Sequence, residues 1–147
     1  MTSSSSPPPS FSSVPAASAV SLTTATPANV TSMPLTAGSY LVWGQLNATL
    51  TGATLTALVA SLSLTSGALA AQNGQTSNNG VRLFPEPIAQ QVTCLTTATG
   101  TSSIDVGVTL LTVPPGVTAT LYLVGQAAFS AGSVAAYGSL FALPIPN

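Results

Sequence analysis

From about residue 18 onward, apolar and polar side chains alternate with a period of two, the spacing of a half-buried strand rather than a helix. Val20 and Leu22 alternate with Ser21 and Thr23. After Gly38-Ser39, the residues Tyr40, Val42, Leu46, Ala48 and Leu50 fall on one face, and Gln45, Asn47 and Thr49 on the other. Thr51-Gly52 reads as a turn. Leu58, Ala60, Leu62 and Leu64 then alternate with Ser61, Ser63 and Thr65 until Ser66-Gly67. Ala71 to Gly80, rich in Asn, Gln and Gly, reads as an exposed loop. Val81 to Phe84 predicts a short strand stopped by Pro85 and Pro87, and Val92 to Thr96 another. Ile104, Val106, Val108 and Leu110 predict one face of a strand, with Asp105, Gly107, Thr109 and Leu111 on the other. Pro114-Pro115-Gly116 makes a tight connection. Residues 118–129 and 134–143 are expected to pair as a hairpin around Ser130-Ala131-Gly132. Short strands separated by turn signals predict an all-β domain over residues 18–147, a jelly roll or β-sandwich of about eight strands.

One segment contests this pattern. Gly52 to Ala71 carries no charge and is long enough to span a bilayer, and Leu55, Leu58, Val59 and Leu62 also fit helical spacing. It is interrupted by Ser and Thr and lacks basic flanks and aromatic anchors, so no membrane helix is expected. Residues 1–17 differ in kind: a Ser/Pro tract in which Pro7, Pro8 and Pro9 favour extended polyproline II. This arm is expected to be held by a neighbouring copy or by another protein. It shows neither the basic n-region nor the apolar h-region of a secretion signal, so intracellular synthesis is expected.

Composition narrows the chemistry. Arg82, Glu86 and Asp105 are the only charged side chains in 147 residues, 2% where an ordinary domain has roughly a quarter, and there is no His or Lys. Apolar residues make up 46%, so low charge does not imply disorder. Ser-His-Asp, Cys-His and Ser-Lys nucleophile arrangements are impossible. Phosphate loops and metal clusters lack their ligands, and one Arg cannot neutralise a nucleic-acid backbone. Glu86 and Asp105 are the only side-chain carboxyls available for a glycosidase pair. Asp105-Val106-Gly107 departs from the Asp-Thr/Ser-Gly loop of dimeric aspartic proteases by lacking the hydroxyl, and reads as an outward-facing Asp on a strand. Cys94 is the sole cysteine and is expected to be a small buried hydrophobe. The sequons Asn29-Val30-Thr31 and Asn47-Ala48-Thr49 are unremarkable in a Thr-rich chain. The expectation is a protein that is not an enzyme, takes no cofactor or metal, and acts through shape and apolar contact.

Candidate contact residues follow. Trp43 lies on the face opposite Tyr40 and Val42 and is a candidate interface anchor; the other strand aromatics are expected mostly in the core. Arg82 and Glu86, four apart across a Phe-Pro bend, suit a local or intersubunit ion pair. Pro7, Pro8 and Pro9 are candidates for contact through the arm.

Two stretches carry a resemblance. Leu35-Thr36-Ala37-Gly38-Ser39-Tyr40-Leu41-Val42-Trp43-Gly44 is similar to the opening strand of phage structural jelly rolls. Leu121 to Phe129, followed by Ala136-Tyr137-Gly138-Ser139-Leu140, is similar to their closing hairpin, although the basic residues that often end such chains are replaced by Leu143-Pro144-Ile145-Pro146-Asn147. With the length, the neutrality and the arm, the chain resembles the small cement (decoration) proteins that coat tailed-phage heads. That resemblance implies a virion protein bound to the outside of an icosahedral shell, bridging neighbouring major capsid protein subunits. It also implies a homo-oligomer, dimer or trimer, without nucleic-acid or membrane partners. A receptor-binding or tail-fibre-tip jelly roll is the alternative in the same class of particle.

Overall fold

A computed structural model of the chain describes residues 8–69, 75–76, 80–84, 89–92 and 96–146, with the side chains of 75–76, 84, 89–92 and 96–99 left out of the description. The strands are β1 (Ser10–Val14), β2 (Val20–Ser21), β3 (Ala28–Leu35), β4 (Gly38–Ser63) and β5 (Gln75–Thr76). They continue with β6 (Arg82–Phe84), β7 (Ala89–Val92), β8 (Thr96–Val113), β9 (Ala119–Ser130) and β10 (Ser133–Pro144). Eight of these are longer than two residues, and among the described residues one 3₁₀ turn covers Ala16–Ser18. Every ladder is antiparallel. The all-β sandwich expected from the alternation is therefore present.

Strand β4 builds both layers. Its first half lies between β10 and β8, and its second half pairs with β9 and β7. A Cβ placed on Gly44 in the first half would lie 3.3 Å from a Leu62 methyl in the second half and 3.2 Å from Leu123 on β9. Eighteen residues of extended chain span roughly 60 Å, so β4 folds back over itself. The fold occurs where Thr51-Gly52 bulges against β8, with Gly52 at φ 60. Strands that change sheets at a bulge are the usual corners of such sandwiches. Buried positions on β4 accordingly change parity. They are Tyr40, Val42, Leu46, Ala48 and Leu50 before the corner, and Ala53 and Leu55 within it. After a second irregularity between Leu55 and Ala57 they become Leu58, Ala60 and Leu62. The expected turn at Thr51-Gly52 is this bulge, inside one continuous strand. The helical alternative for Gly52 to Ala71 is replaced by strand up to Ser63. Among the described residues no helix is long and apolar enough to cross a membrane.

Residues 118–129 and 134–143 do not form the expected hairpin. They are joined by a two-residue turn, but β9 pairs with β3 and the second half of β4, while β10 pairs with β1, β2 and the first half of β4. The chain turns at Ala131-Gly132 because it follows the bend in β4 and crosses with it from one layer to the other. A Cβ on Gly132 would overlap the backbone of Thr51 and Gly52, so the two corners stack glycine against backbone.

The layers enclose one core of Leu, Val, Ala, Ile, Met33 and Tyr40 side chains. The Tyr40 hydroxyl donates to the Thr36 carbonyl at 2.8 Å. Ser61 and Ser63 are fully buried, unlike their expected outward placement, because this part of β4 is covered on both faces. Their hydroxyls donate to the carbonyls of Leu62 (3.1 Å) and Thr65 (3.0 Å). The Ser/Pro tract is not wholly separate from the domain. Ser10–Val14 forms edge strand β1, in register with Gly138–Ala142 of the same chain, so in its described part the arm is held in cis.

Candidate functional site: an apolar outer face

Strand alternation leaves an outer face on the layer made by β1, β10, β4, β8 and β6. Read across the strands, that face is ordered in rows. Phe11 pairs with Phe141 and Phe141 with Trp43, placing three aromatics side by side on adjacent strands. The Phe11 and Phe141 rings lie 4.8 Å apart and tilted. Trp43 and Phe141 stack at 5.3 Å with 11° between their planes. Pairs of this geometry stabilise by about 0.5–1.5 kcal/mol beyond area burial. Trp43 thus sits on the outer face as expected. The other strand aromatics (Tyr40, Tyr122, Phe129, Tyr137 and Phe141) are expected mostly in the core; Phe141 instead shares the outer row, and of these five only Tyr40 is fully buried.

Backbone irregularity extends the row onto β8. Val42 pairs with Thr109 but Gly44 pairs with Val106, so Gly107 and Val108 together oppose Trp43. This bulge reverses the strand's facing. Ile104 and Val106 point inward before it, and Thr109, Leu111 and Val113 after it. Val108, expected on the buried face, is 62% exposed, and Leu110 is half-buried on the outer side. The adjacent row, Leu143–Leu41–Leu110, is also apolar, with Leu143 43% and Leu41 37% exposed, while Phe11 at the sheet edge is 60% exposed.

Among the described residues, charge appears only at the two ends of this patch. Beyond the aromatic row, Ser139, Gln45 and Asp105 form the next row, with Asp105 and Gln45 exposed. Beyond the leucine row, Ser39, Thr112 and Arg82 form the row at the other end, and Arg82 is exposed. Arg82 faces outward because Leu83, its neighbour on β6, is fully buried beside Leu111. Glu86 and Pro7 lie outside the described residues, as does Cys94; Pro8 and Pro9 are exposed just before β1.

The remaining candidates have structural roles here. Asp105 stands on a regular strand opposite Gln45, away from any second described carboxyl. Both sequon asparagines are engaged. Asn29 donates to the Ser66 hydroxyl at 2.7 Å and accepts from the Gly67 amide, tying β3 to the turn after β4. Asn47 accepts from the Ser103 hydroxyl at 2.6 Å. Among the described residues no three His, Cys, Asp or Glu side chains come together. A small cleft lined by Ala37, Gly38, Ser39, Thr112, Val113, Pro114 and Pro115 holds no charged or nucleophile–base arrangement. The described face offers aromatic and aliphatic contact surface, bounded by hydrogen-bonding rows that carry Asp105 at one end and Arg82 at the other. Comparison with known proteins gives no matching family model, no similar curated sequence and no matching solved structure.

Proposed function

We propose that the protein is a structural component of a phage virion that assembles on the outside of an icosahedral head and cements neighbouring major capsid protein subunits. The observation that carries this reading is the outer face built on Phe11, Phe141, Trp43, Leu41, Leu143 and Val108. A contiguous apolar patch on a protein with almost no charge is a surface for burial against other protein. The low charge favours this use, because broad Ser/Thr/Ala surface is covered without stranding unpaired ions. Many weak contacts on a lattice then add to firm attachment. Pro8 and Pro9, exposed at the sheet edge just before β1, supply a second contact. The test is quantitative protein analysis of purified particles. A stoichiometry comparable to that of the major capsid protein is the expected result. A few copies at a tail tip would replace this reading with a receptor-binding module, and absence from particles would remove it.

A further inference from the structure

We infer that Trp43, Gly107 and Asp105 form a notch on the outer face that takes an arginine side chain of the capsid protein. The inference rests on the reading of this face as a surface for the capsid protein, and names the chemistry the partner brings to it. Strand β4 runs between β10 and β8, so the two faces of the Trp43 ring look across different strands. One face is stacked on Phe141 of β10. The other is turned toward β8, where the bulge sets Gly107 and Val108 against Trp43. A Cβ added to Gly107 would have nothing within 4 Å, so the space beside the indole is open. Asp105, exposed opposite Gln45, bounds this space on one side. Val108, 62% exposed, bounds it on the other.

Size and charge select the occupant. Asp105 and Trp43 are diagonal neighbours across the β4–β8 ladder, a relation that spans about 7–8 Å. A cation held by an aromatic face lies within about 6 Å of the ring centroid, and its hydrogen bond to a carboxylate is about 2.8 Å long. A planar guanidinium meets both conditions together, stacked on the indole with its N–H groups aimed at the carboxylate. Its hydrocarbon stem then lies along Val108. A lysine ammonium is a point charge that neither stacks nor pairs through two parallel bonds. A neutral side chain leaves Asp105 without a counter-charge. No copy of this chain supplies the guanidinium. Its one side-chain cation is Arg82, which is already engaged within the chain. Arg82 also stands in the row of Ser39, six residues of β4 from the row of Asp105, or roughly 20 Å. The arginine therefore comes from a different protein.

Trp43 is the chain's one tryptophan, so its fluorescence reads the notch directly. The full-length protein is titrated at constant ionic strength with N-acetylarginine amide and with the citrulline counterpart, which keeps the shape and lacks the charge. The arginine probe is expected to change the emission saturably below about 0.1 M, and the citrulline probe is not. Asp105→Asn is expected to weaken the arginine response roughly fivefold or more. Gly107→Val, which fills the floor of the notch, is expected to abolish it. Both positions are exposed and the valine meets open space, so the core is untouched; circular dichroism checks folding. Offered to purified heads, both variants are expected to be retained in fewer copies than wild type. An arginine response no different from that of citrulline, or one that Asp105→Asn leaves unchanged, overturns the inference. Variants retained on heads as fully as wild type overturn it too, and leave the cement reading standing. A wild type that does not attach removes the cement reading, and with it the capsid protein as the source of the arginine, while the titration still decides what the notch takes.

Discussion

The stacking of Gly132 against the bend in β4 makes a quantitative claim about the corner of the sandwich. Gly52, Gly116 and Gly132 all have left-handed backbone, with φ of 60, 76 and 59. An alanine there pays about 1–2 kcal/mol for the conformation alone. At Gly52 and Gly116 nothing lies within 4 Å of an added Cβ, so that is the whole expected cost. At Gly132 the added carbon overlaps the Thr51 carbonyl oxygen and the Gly52 carbonyl group. These are backbone atoms of an adjacent strand and cannot rotate away. Relieving such overlap adds about 1–3 kcal/mol, giving about 2–5 kcal/mol in total for Gly132→Ala. The loss falls on the point where β4 and the β9–β10 connection change layers together.

Equilibrium urea unfolding of the three alanine variants reads this directly, from midpoints at constant slope. The ordering expected is Gly52→Ala close to Gly116→Ala, with Gly132→Ala worse than either by about 1–3 kcal/mol. If Gly132→Ala cost no more than Gly116→Ala, the close approach of the two corners would be wrong. The layer-switching role assigned to that turn would then fail with it.

Three further outcomes follow from single contacts. Ala131 holds φ 55 beside Gly132 in a turn whose backbone favours Asn-Gly; Ala131→Asn is expected to raise the unfolding midpoint, by about 0.5–1 kcal/mol on the scale of other turn optimisations. Tyr40→Phe removes the bond to the Thr36 carbonyl from a side chain only 1% exposed, and is expected to cost about 1 kcal/mol in the same urea assay. Leu46→Ala empties a fully buried position facing Gly125 and is expected to cost about 2–5 kcal/mol; a smaller loss would mean the layers close over the gap.

How far the sequence discloses the fold depends on how many faces each strand buries. Tyr40 to Leu50 is legible because that half of β4 covers the core on one side only, so its even positions are apolar and buried. Ser61 and Ser63 mislead because the end of β4, from Ala60 to Ser63, is buried at every position, and their hydroxyls are satisfied locally. Strand β3 is hard to see: Pro27 precedes it and Pro34 lies within it, tolerated because among the described residues β3 has only β9 as a ladder partner. The pairing of β9 and β10 with opposite halves of β4 is also invisible, since a tight turn between two strand-like runs normally signals a hairpin. Of the contact surface, Trp43 was readable from parity. Phe141 and Val108 were not: the first needs its partners across the ladder, and the second needs the bulge.

That bulge bears on why the face exists. Without it, the even alternation from Ile104 to Leu110 would bury Val108 and expose Thr109. With it, Thr109 is 3% exposed and Val108 is 62% exposed. For folding alone this exchange is unfavourable, since it leaves a branched hydrocarbon in water. The valine's exposure forfeits about 1.5–3 kcal/mol of burial. An arrangement that costs stability at one point is expected where the surface serves contact. Here it places an apolar side chain beside Trp43 and carries the aromatic row onto a fourth strand. Replacing Val108 with Thr separates the two roles. Folding stability should change by less than about 0.5 kcal/mol, as at other exposed positions. Attachment through the face should weaken, read by the copies retained on purified particles against wild type. If Val108→Thr destabilised the fold and left attachment unchanged, the bulge would be serving the core, and the outer row would end at Trp43.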